Sequence, residues 1–177
     1  MIHIEVQLLN DKIIDRQLAL LSNRCRDFSP AFELMHQSFL QIEEEQFNTE
    51  GAAGGEAWAA LSEIYVAWRG SAHPILQLEG KLKKSLSQAG AEGHVVEIHP
   101  FEAKFGTDLQ TESGYGLGRT HQTGYTVKYP YGNRGIKPVT VPARKSISLT
   151  DKHKQEWVRL LQGWLMQSSG MYPEHFG

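Results

Sequence analysis

Apolar side chains recur in two different patterns at the start of the chain. Residues 2–8 alternate between apolar and polar types, which is typical of a strand with one buried face. Asn10 or Asp11 can then cap a helix, and an apolar stripe at steps of three and four follows. The stripe consists of Ile13, Ile14, Leu18 and Leu21. The pattern predicts a short strand followed by a helix that ends near Asp27.

A second helix is predicted to begin at the Ser29–Pro30 pair. The serine hydroxyl can cap free backbone amides, and proline is tolerated in the first turn because its missing N–H would have no partner there. Apolar residues at helical spacing carry this helix to about Gln46. Its acidic end, Glu43–Glu45, lies where the helix dipole disfavours negative charge. We therefore predict that these glutamates form a solvated, fraying end.

Glycine and proline interrupt the middle of the chain. The glycine-rich residues 50–56 predict a loop, and the apolar spacing after them predicts a short third helix opened at or just before Ser62. Leucines at steps of four predict a fourth helix around residues 81–88. Residues 94–99 alternate and are rich in branched side chains, which predicts a strand that stops at Pro100.

The C-terminal part predicts a hairpin and one more helix. Residues 105–124 are polar and glycine-rich, and they are predicted to form a long irregular loop. Residues 125–129 and 136–141 alternate on either side of a turn, with Pro138 placing the second arm at a sheet edge or in a bulge. Thr150 then caps a last helix with a wide apolar face.

Together these elements predict an α+β fold. It has N-terminal helices, a small antiparallel sheet with a hairpin, and a packed C-terminal helix. The length of 177 residues suits one domain, so we expect a single domain over residues 1–177 with a loose tail at about 168–177. An apolar fraction of 40% beside 21% charged residues is a globular balance and excludes disorder of the whole chain.

The single cysteine and the short apolar runs exclude several classes of protein. Cys25 has no partner in the chain, so neither a disulfide scaffold nor a cysteine-based zinc cluster can form. This suits a reducing compartment, and the sequence predicts a cytoplasmic protein. No apolar run approaches the roughly 20 residues of a membrane span, so no membrane partner is expected.

The net charge of −2 hides a strong polarity along the chain. Residues 33–63 contain seven acids and no lysine or arginine, whereas residues 119–145 contain six bases and no acid. This asymmetry is compatible with nucleic-acid contact on one face, or with two complementary surfaces that meet between copies of the protein. The alternative is two solvated faces that serve only solubility.

Glycines and histidines raise the possibility of nucleotide or metal chemistry. Gly114, Gly116 and Gly118 lack the spacing and the flanking strand and helix of a dinucleotide fingerprint, and no P-loop lysine follows. On the predicted strand, Glu97 and His99 share a face, and His121 in the following loop could complete a metal site. Such closure is not encoded in the spacing, so no metal and no cofactor are predicted.

The sequence evidence for a catalytic site or a DNA-binding surface is also weak. Ser62 or Ser85 with His121 and Asp108 could form a triad, but neither serine lies in a nucleophile elbow. The carboxylates of residues 43–56 are better explained as a solvated helix end than as an acid–base pair. A basic face over residues 119–145 interleaved with tyrosines is the basis of an alternative function, a small DNA-binding module.

Several short runs stand in a definite order along the chain. They are Phe47, Trp58-Ala-Ala-Leu61-Ser62, Ile75-Leu76, Leu78-Glu-Gly80-Lys-Leu82 with Ser85, Val95 to Ile98, His121-Gln122-Thr-Gly124 and Pro142-Ala143-Arg144. In their order and spacing the chain, from about residue 30 to 166, resembles the phage virion morphogenesis family, the tail completion proteins of Mu-like and related contractile-tailed phages. Departures are Ala60, where proline is common, and Leu117-Gly118, where a Tyr-Ala pair is common.

The resemblance implies a non-enzymatic virion component that acts late in tail assembly. It implies tail completion or head–tail joining, a ring of identical subunits, and tail tube or head–tail connector proteins as partners. DNA would pass through the lumen of such a ring. The protein would then reside in the host cytoplasm during assembly and in the tail or neck of the virion afterwards.

The candidate assembly residues come from the two charged segments and from the runs that carry the resemblance. They are Glu43, Glu44, Glu45, Arg119, His121, Gln122, Gly124, Arg134, Pro142, Arg144 and Lys145. The basic residues are expected either to meet acids of a neighbouring subunit or to face DNA. Gly124 is expected to adopt a positive φ, and His121 and Gln122 to hold the loop by hydrogen bonds. The alternative is local scaffolding without partner contact.

Overall fold

The structure, a computed structural model, describes residues 11–112, 114–128 and 138–166. The side chains of residues 11, 127, 128, 138 and 139 are not described. The predicted strand at residues 2–8, the turn of the predicted hairpin with Arg134, and the predicted tail after Ser168 lie outside the described residues. No helix within the described ranges is long and apolar enough to cross a membrane.

The architecture is α+β, as predicted. The helices are α1 (Asp11–Arg24), α2 (Ser29–Asn48), α3 (Glu63–Arg69), α4 (Lys81–Ser87), α5 (Leu117–Thr123) and α6 (Asp151–Met166). The strands are β1 (His94–His99), β2 (Glu102–Thr107), β3 (Tyr125–Lys128) and β4 (Pro138–Val141). β1 pairs with β2 and β3 with β4, each as a two-stranded antiparallel sheet.

The central helix α2 differs from its prediction at both ends. Ser29 begins the helix, but its side chain is not the cap: the Asp27 carboxylate accepts a hydrogen bond from the Ser29 backbone N–H at 2.9 Å. Pro30 lies in the first turn, as predicted. At the other end the helix continues to Asn48, and the Glu43 side chain is 0% exposed. The prediction of a fraying, solvated end is therefore wrong at Glu43.

The core lies between α2, α4 and the β1–β2 sheet. Phe39 and Phe47 project from one face of α2, and Leu82 and Leu86 pack against them from α4. Trp58 closes the far end, with its ring edge-on to Phe47 at a centroid distance of 5.2 Å. The short amphipathic helix α4 is stabilised by the burial of its two leucines, since seven residues are too few to hold a helix by propensity alone.

The predicted loop over residues 105–124 contains two regular elements that the sequence pattern did not reveal. β2 covers its first residues, and Phe105 packs inward against Phe39 at a ring distance of 5.7 Å while Lys104 points to solvent. α5 occupies its last residues. Both are short, and α5 carries Gly118, so local propensity was a weak guide and tertiary packing determines the conformation.

The last helix, α6, begins as predicted at a Thr150 cap. The Thr150 hydroxyl accepts from the His153 backbone N–H, and His153 Nδ1 accepts from the Thr150 N–H, both at 3.3 Å. This reciprocal pair has the arrangement of a capping box, with histidine in the place of glutamate. Trp157 anchors the helix by donating from Nε1 to the Ser38 hydroxyl of α2 at 3.0 Å.

The short helix α3 has the cap that the sequence predicts. The Ser62 hydroxyl accepts from the Tyr65 backbone N–H at 3.3 Å. The helix lies at the surface, and Ile64 and Trp68 are exposed one turn apart. Of the four tryptophans, Trp58 is buried in the core and Trp68 is exposed.

Candidate assembly site

Residues 142–150 link β4 to α6 without regular secondary structure, and we call residues 142–148 the bridging segment. Such a segment must find partners for its backbone N–H and C=O groups outside a helix or sheet ladder. Its partners come from α2, from α5 and from the loop around Trp58.

Arg144 fastens the bridging segment to the loop before α3. Its guanidinium donates from Nε to the Ala59 carbonyl at 2.7 Å and from Nη2 to the Ala60 carbonyl at 2.8 Å. The residue is 4% exposed, and burial lowers the pKa of its guanidinium, although arginine stays charged. Arg144 therefore binds within its own subunit. An Arg144→Glu substitution would remove both hydrogen bonds and is therefore expected to disturb folding.

Gln122 on α5 binds the bridging segment with a pair of hydrogen bonds to the backbone of one residue, as a neighbouring strand would. Its amide donates from Nε2 to the Ile147 carbonyl at 2.8 Å, and its Oε1 accepts from the Ile147 N–H at 3.1 Å. The Ser146 hydroxyl donates to the same Oε1 at 3.4 Å. Gln122 thus forms side-chain hydrogen bonds, as predicted, but it does so from helix α5 to the bridging segment and not within a loop at residues 105–124.

His121 contributes differently from the prediction. Its backbone carbonyl accepts from the Arg144 N–H at 2.8 Å, whereas its side-chain Nδ1 is buried without a hydrogen-bond partner in the part of the chain that the structure describes. The ring stands edge-on to Tyr125 at 6.2 Å. Burial, helped by the nearby charge of Arg144, lowers the pKa of His121, so the ring is neutral at pH 7.

One backbone carbonyl of the bridging segment accepts hydrogen bonds from two side chains of the core. The Lys145 carbonyl accepts from Trp58 Nε1 at 2.9 Å and from Gln46 Nε2 at 3.0 Å. The Ser148 hydroxyl donates to the Gly54 carbonyl at 2.9 Å. Trp58 thus serves both as a core residue and as a clamp. An open pocket of about 320 Å³ lies beside it, lined in part by Pro142 and Lys145.

Gly124 is required where α5 turns into β3. Its φ is +70°, which confirms the predicted positive value. A Cβ at this position would lie 2.7 Å from the Ala143 backbone nitrogen and 2.8 Å from the Val141 carbonyl oxygen. A side chain is excluded by both the backbone angle and the contact with backbone atoms. The glycine therefore allows β3 and the bridging segment to approach closely.

The structure separates the candidate assembly residues into buried and exposed groups. Glu44, Glu45, Arg119, Pro142 and Lys145 are exposed, His121, Gln122 and Gly124 are partly buried, and Glu43 and Arg144 are buried. Arg134 lies outside the described residues. Lys145 Nζ lies 4.0 Å from Glu56 Oε2 at the surface, so one member of the basic group already faces an acid of the same chain.

The largest difference from the sequence prediction is the burial of Glu43. Both of its carboxylate oxygens are buried without a hydrogen-bond partner among the described residues. Burial raises the pKa of Glu43 from its ordinary 4.5 to about 8, so the group is mainly uncharged at neutral pH. Its position four residues after Phe39 and four before Phe47 places it on the buried face of α2. That spacing was visible in the sequence and was outweighed by the run of three glutamates.

Three of the residues considered for metal binding or catalysis form contacts within the fold. Glu97 lies at the surface beside Lys104, and no group of three or more metal-binding side chains occurs in the described ranges. Ser62 caps α3, and the buried Ser85 donates its hydroxyl to the Leu82 carbonyl at 2.9 Å.

A family comparison covers nearly the whole of this architecture. The phage virion morphogenesis family matches residues 9–166 of the chain. The chain belongs to this family. No curated protein and no solved structure is significantly similar to it.

Membership of the virion morphogenesis family gives the protein a role in phage assembly and associates it with the virion. Three of the runs that carry the resemblance meet in space at the bridging segment. Trp58 comes from one run, Gln122 and Gly124 from a second, and Pro142 and Arg144 from a third. Residues far apart in the chain thus build one junction, and their polar groups are directed at backbone atoms.

Proposed function

We propose that the protein acts in tail completion or head–tail joining as a ring of identical subunits, without turnover of a substrate. The observation that carries the proposal is the family match over residues 9–166. Its proposed partners are tail tube or head–tail connector proteins. The proposed location is the host cytoplasm during assembly and the tail or neck afterwards.

The use of polar side chains at the bridging segment supports a structural role. Arg144, Gln122 and Trp58 each donate to a backbone carbonyl of another part of the chain. Side chains that serve catalysis converge instead on a space where a substrate atom can lie. The junction therefore fixes the path of the chain between β4 and α6 and presents its exposed neighbours in a defined orientation.

The exposed charges support a contact between unlike surfaces. Glu44 and Glu45 lie exposed near the end of α2, and Arg119 lies exposed on α5. A ring requires one patch of each subunit to fit a different patch of the next. Complementary charges at its rim would set register and encounter rate more than affinity.

The proposed role is tested by electron microscopy of particles made without this protein. We expect headless or overlong tails, and complementation by the wild-type protein should restore complete particles. Normal, infectious particles would contradict the proposal. A purified subunit that retains duplex DNA in a gel-shift assay at physiological salt would favour the alternative, a DNA-binding module.

The proposed ring contact is tested by sedimentation with charge-reversed subunits. Glu44→Lys with Glu45→Lys should weaken the oligomer, and so should Arg119→Glu, while a mixture of the two proteins should recover mixed oligomers. Lys152→Glu, on the exposed side of α6, is the matched control. An oligomer that is indifferent to these reversals and to salt would exclude this contact.

A further inference from the structure

Two histidines meet at the junction of α2 and β1. His36 Nε2 and His94 Nε2 lie 2.9 Å apart, and the ring centroids are 5.1 Å apart. His36 is 5% exposed, and its other side is stacked on Phe105 of β2 at 5.2 Å. The pair therefore joins α2 to both strands of the β1–β2 sheet.

The surroundings of His94 determine where its proton lies. His94 Nδ1 is 2.8 Å from the Ser85 carbonyl of α4. A carbonyl oxygen only accepts hydrogen bonds, so Nδ1 carries the proton. In the neutral ring, His94 Nε2 is then an acceptor, and His36 Nε2–H must be the donor. A single chain of hydrogen bonds thus runs from α2 through β1 to α4.

This chain can take up one additional proton but not two. A singly protonated pair still has one donor and one acceptor between the two Nε2 atoms. With both rings protonated, two N–H groups and two positive charges would face each other at 2.9 Å in a buried place. Burial and the neighbouring His94 lower the pKa of His36, in agreement with this restriction.

One nearby carboxylate opposes the restriction on the pair, and burial and the second histidine outweigh it. Glu33, one turn before His36 on α2, is the carboxylate whose charge favours protonation of His36. Glu43, seven residues beyond His36 on α2, is held protonated below about pH 8 and brings no charge at acid pH. On α4 and the β1–β2 sheet, Lys81 pairs with Glu79, Lys83 with Asn48, and Lys104 with Glu97 and Glu102, while Lys84 is exposed. On α6, which also packs on α2, Lys152 pairs with Glu156 and Lys154 with Asp151.

We infer that the His36–His94 pair is an acid-sensitive lock, which holds α2 on β1 and α4 while the pair carries at most one proton and opens when both rings are protonated. The lock is independent of the proposed role in tail completion, since it depends only on contacts within the subunit. Opening it would release the N-terminal half of α2, together with the Phe105 packing, at a pH where the isolated rings are both charged.

The sign of the effect follows from proton binding. In the unfolded chain both rings bind a proton near pH 6.5, whereas the folded chain binds at least one proton fewer. The pair's own contribution to stability is therefore complete above about pH 6.5 and is lost as the pH is lowered. Glu43 acts in the opposite direction between about pH 8 and 4.5, so the contribution of the pair is read from the difference between the wild type and a His36 variant. The pair's factor in the folding equilibrium constant should fall about tenfold per pH unit for each proton that the folded chain does not bind.

The test is urea unfolding of the full chain between pH 7.5 and 5, with His36→Gln compared with the wild type. Glutamine can donate from its amide to His94 Nε2 and cannot be protonated. The ratio of the variant's folding equilibrium constant to that of the wild type should therefore rise about tenfold for each pH unit below pH 6. His99→Gln, at an exposed histidine on β1, is the matched control and should behave like the wild type. Equal acid sensitivity in His36→Gln and the wild type would overturn the lock.

A second measurement needs no variant. Histidine NMR titration of the wild-type chain should show that His36 and His94 do not both become protonated while the chain is folded, and that His94 keeps its proton on Nδ1. Two independent titrations near pH 6.5 in the folded chain would contradict the inference, whatever the stability of the variants.

Discussion

The helices α1 and α2 carry the same kind of apolar stripe but have different surroundings. Along α2, the residues at helical spacing are buried against α4, α6 and the β1–β2 sheet. Along α1, the comparable residues Ile13, Ile14, Leu18 and Leu21 are all exposed. The α1 stripe is not covered by the parts of the chain that the structure describes.

The difference shows what periodicity can and cannot predict. A repeat of 3.6 residues fixes which side chains share a face, and both helices form where it predicts them, although α1 ends at Arg24 and α2 continues to Asn48. The covering element depends on contacts far away in sequence. α1 packs on α6 through another side, where Arg24 donates to the Trp164 carbonyl and lies 5.0 Å over the Trp164 ring. This packing leaves the apolar stripe of α1 exposed among the described residues.

The largest effect is expected from the buried stripe. Phe47→Ala should lower the free energy of unfolding by about 3–5 kcal/mol, because Phe47 is fully buried and its removal leaves a cavity beside Trp58. Urea unfolding at pH 7 measures the change. A loss below about 1 kcal/mol would mean that α2 does not form the core.

The next effect depends on pH and concerns the acid on the same face. The pKa of Glu43 is about 8 in the folded chain and about 4.5 when unfolded, so the unfolded chain loses its proton first and stability falls as the pH rises from 4.5 to 8. The fall is at most about 5 kcal/mol, and relaxation of the site reduces it. Glu43→Gln should remove most of this dependence and stabilise the chain by about 2–4 kcal/mol at pH 8.5.

Unfolding of wild-type and Glu43→Gln proteins at pH 5 and pH 8.5 measures this effect. Glu44→Gln is the matched control, since Glu44 is exposed on the same turn of α2. The two chains should be nearly equally stable at pH 5. A wild-type chain that is as stable at pH 8.5 as at pH 5 would show that Glu43 is solvated or paired.

Local signals in the sequence predicted most of the helices and their caps. Ser62 and Thr150 are flanked by the polar and apolar patterns that define helix starts, and both caps form. β1 and the last helix also lie where their periodicity places them. In each case the information lies within a few residues of the element.

The unpredicted features depend on long-range packing. β2 forms because Phe105 fills a space beside Phe39 and His36, and no residue near it in sequence reveals that space. In the same way, the run of exposed-looking glutamates concealed the burial of Glu43, and the basic segment concealed the bonds of Arg144 to Ala59 and Ala60. The pattern of charges along a sequence indicates which segments can form a charged surface. It does not show which of those charged side chains are buried or bonded inside the fold.

A smaller effect is expected where α1 is anchored. Arg24→Met removes the hydrogen bond to the Trp164 carbonyl and the cation–π contact, and should cost about 1–2 kcal/mol. Hydrogen exchange should show faster opening of α1 amides, with α2 amides unchanged. Arg16→Met, at an exposed position of α1, is the control and should leave exchange as in the wild type. Equal protection of α1 in both variants would show that other contacts hold the helix.

The smallest effect on the isolated subunit is expected from the exposed stripe of α1. Leu18 is 58% exposed, so Leu18→Ser removes little buried apolar area and should change the free energy of unfolding by less than about 0.5 kcal/mol. Leu20→Ser, at a partly buried position of the same helix, should cost more and is the control. Urea unfolding at low protein concentration measures both. A loss above about 1.5 kcal/mol for Leu18→Ser would show that the stripe is covered within the subunit, and the contrast between α1 and α2 would disappear.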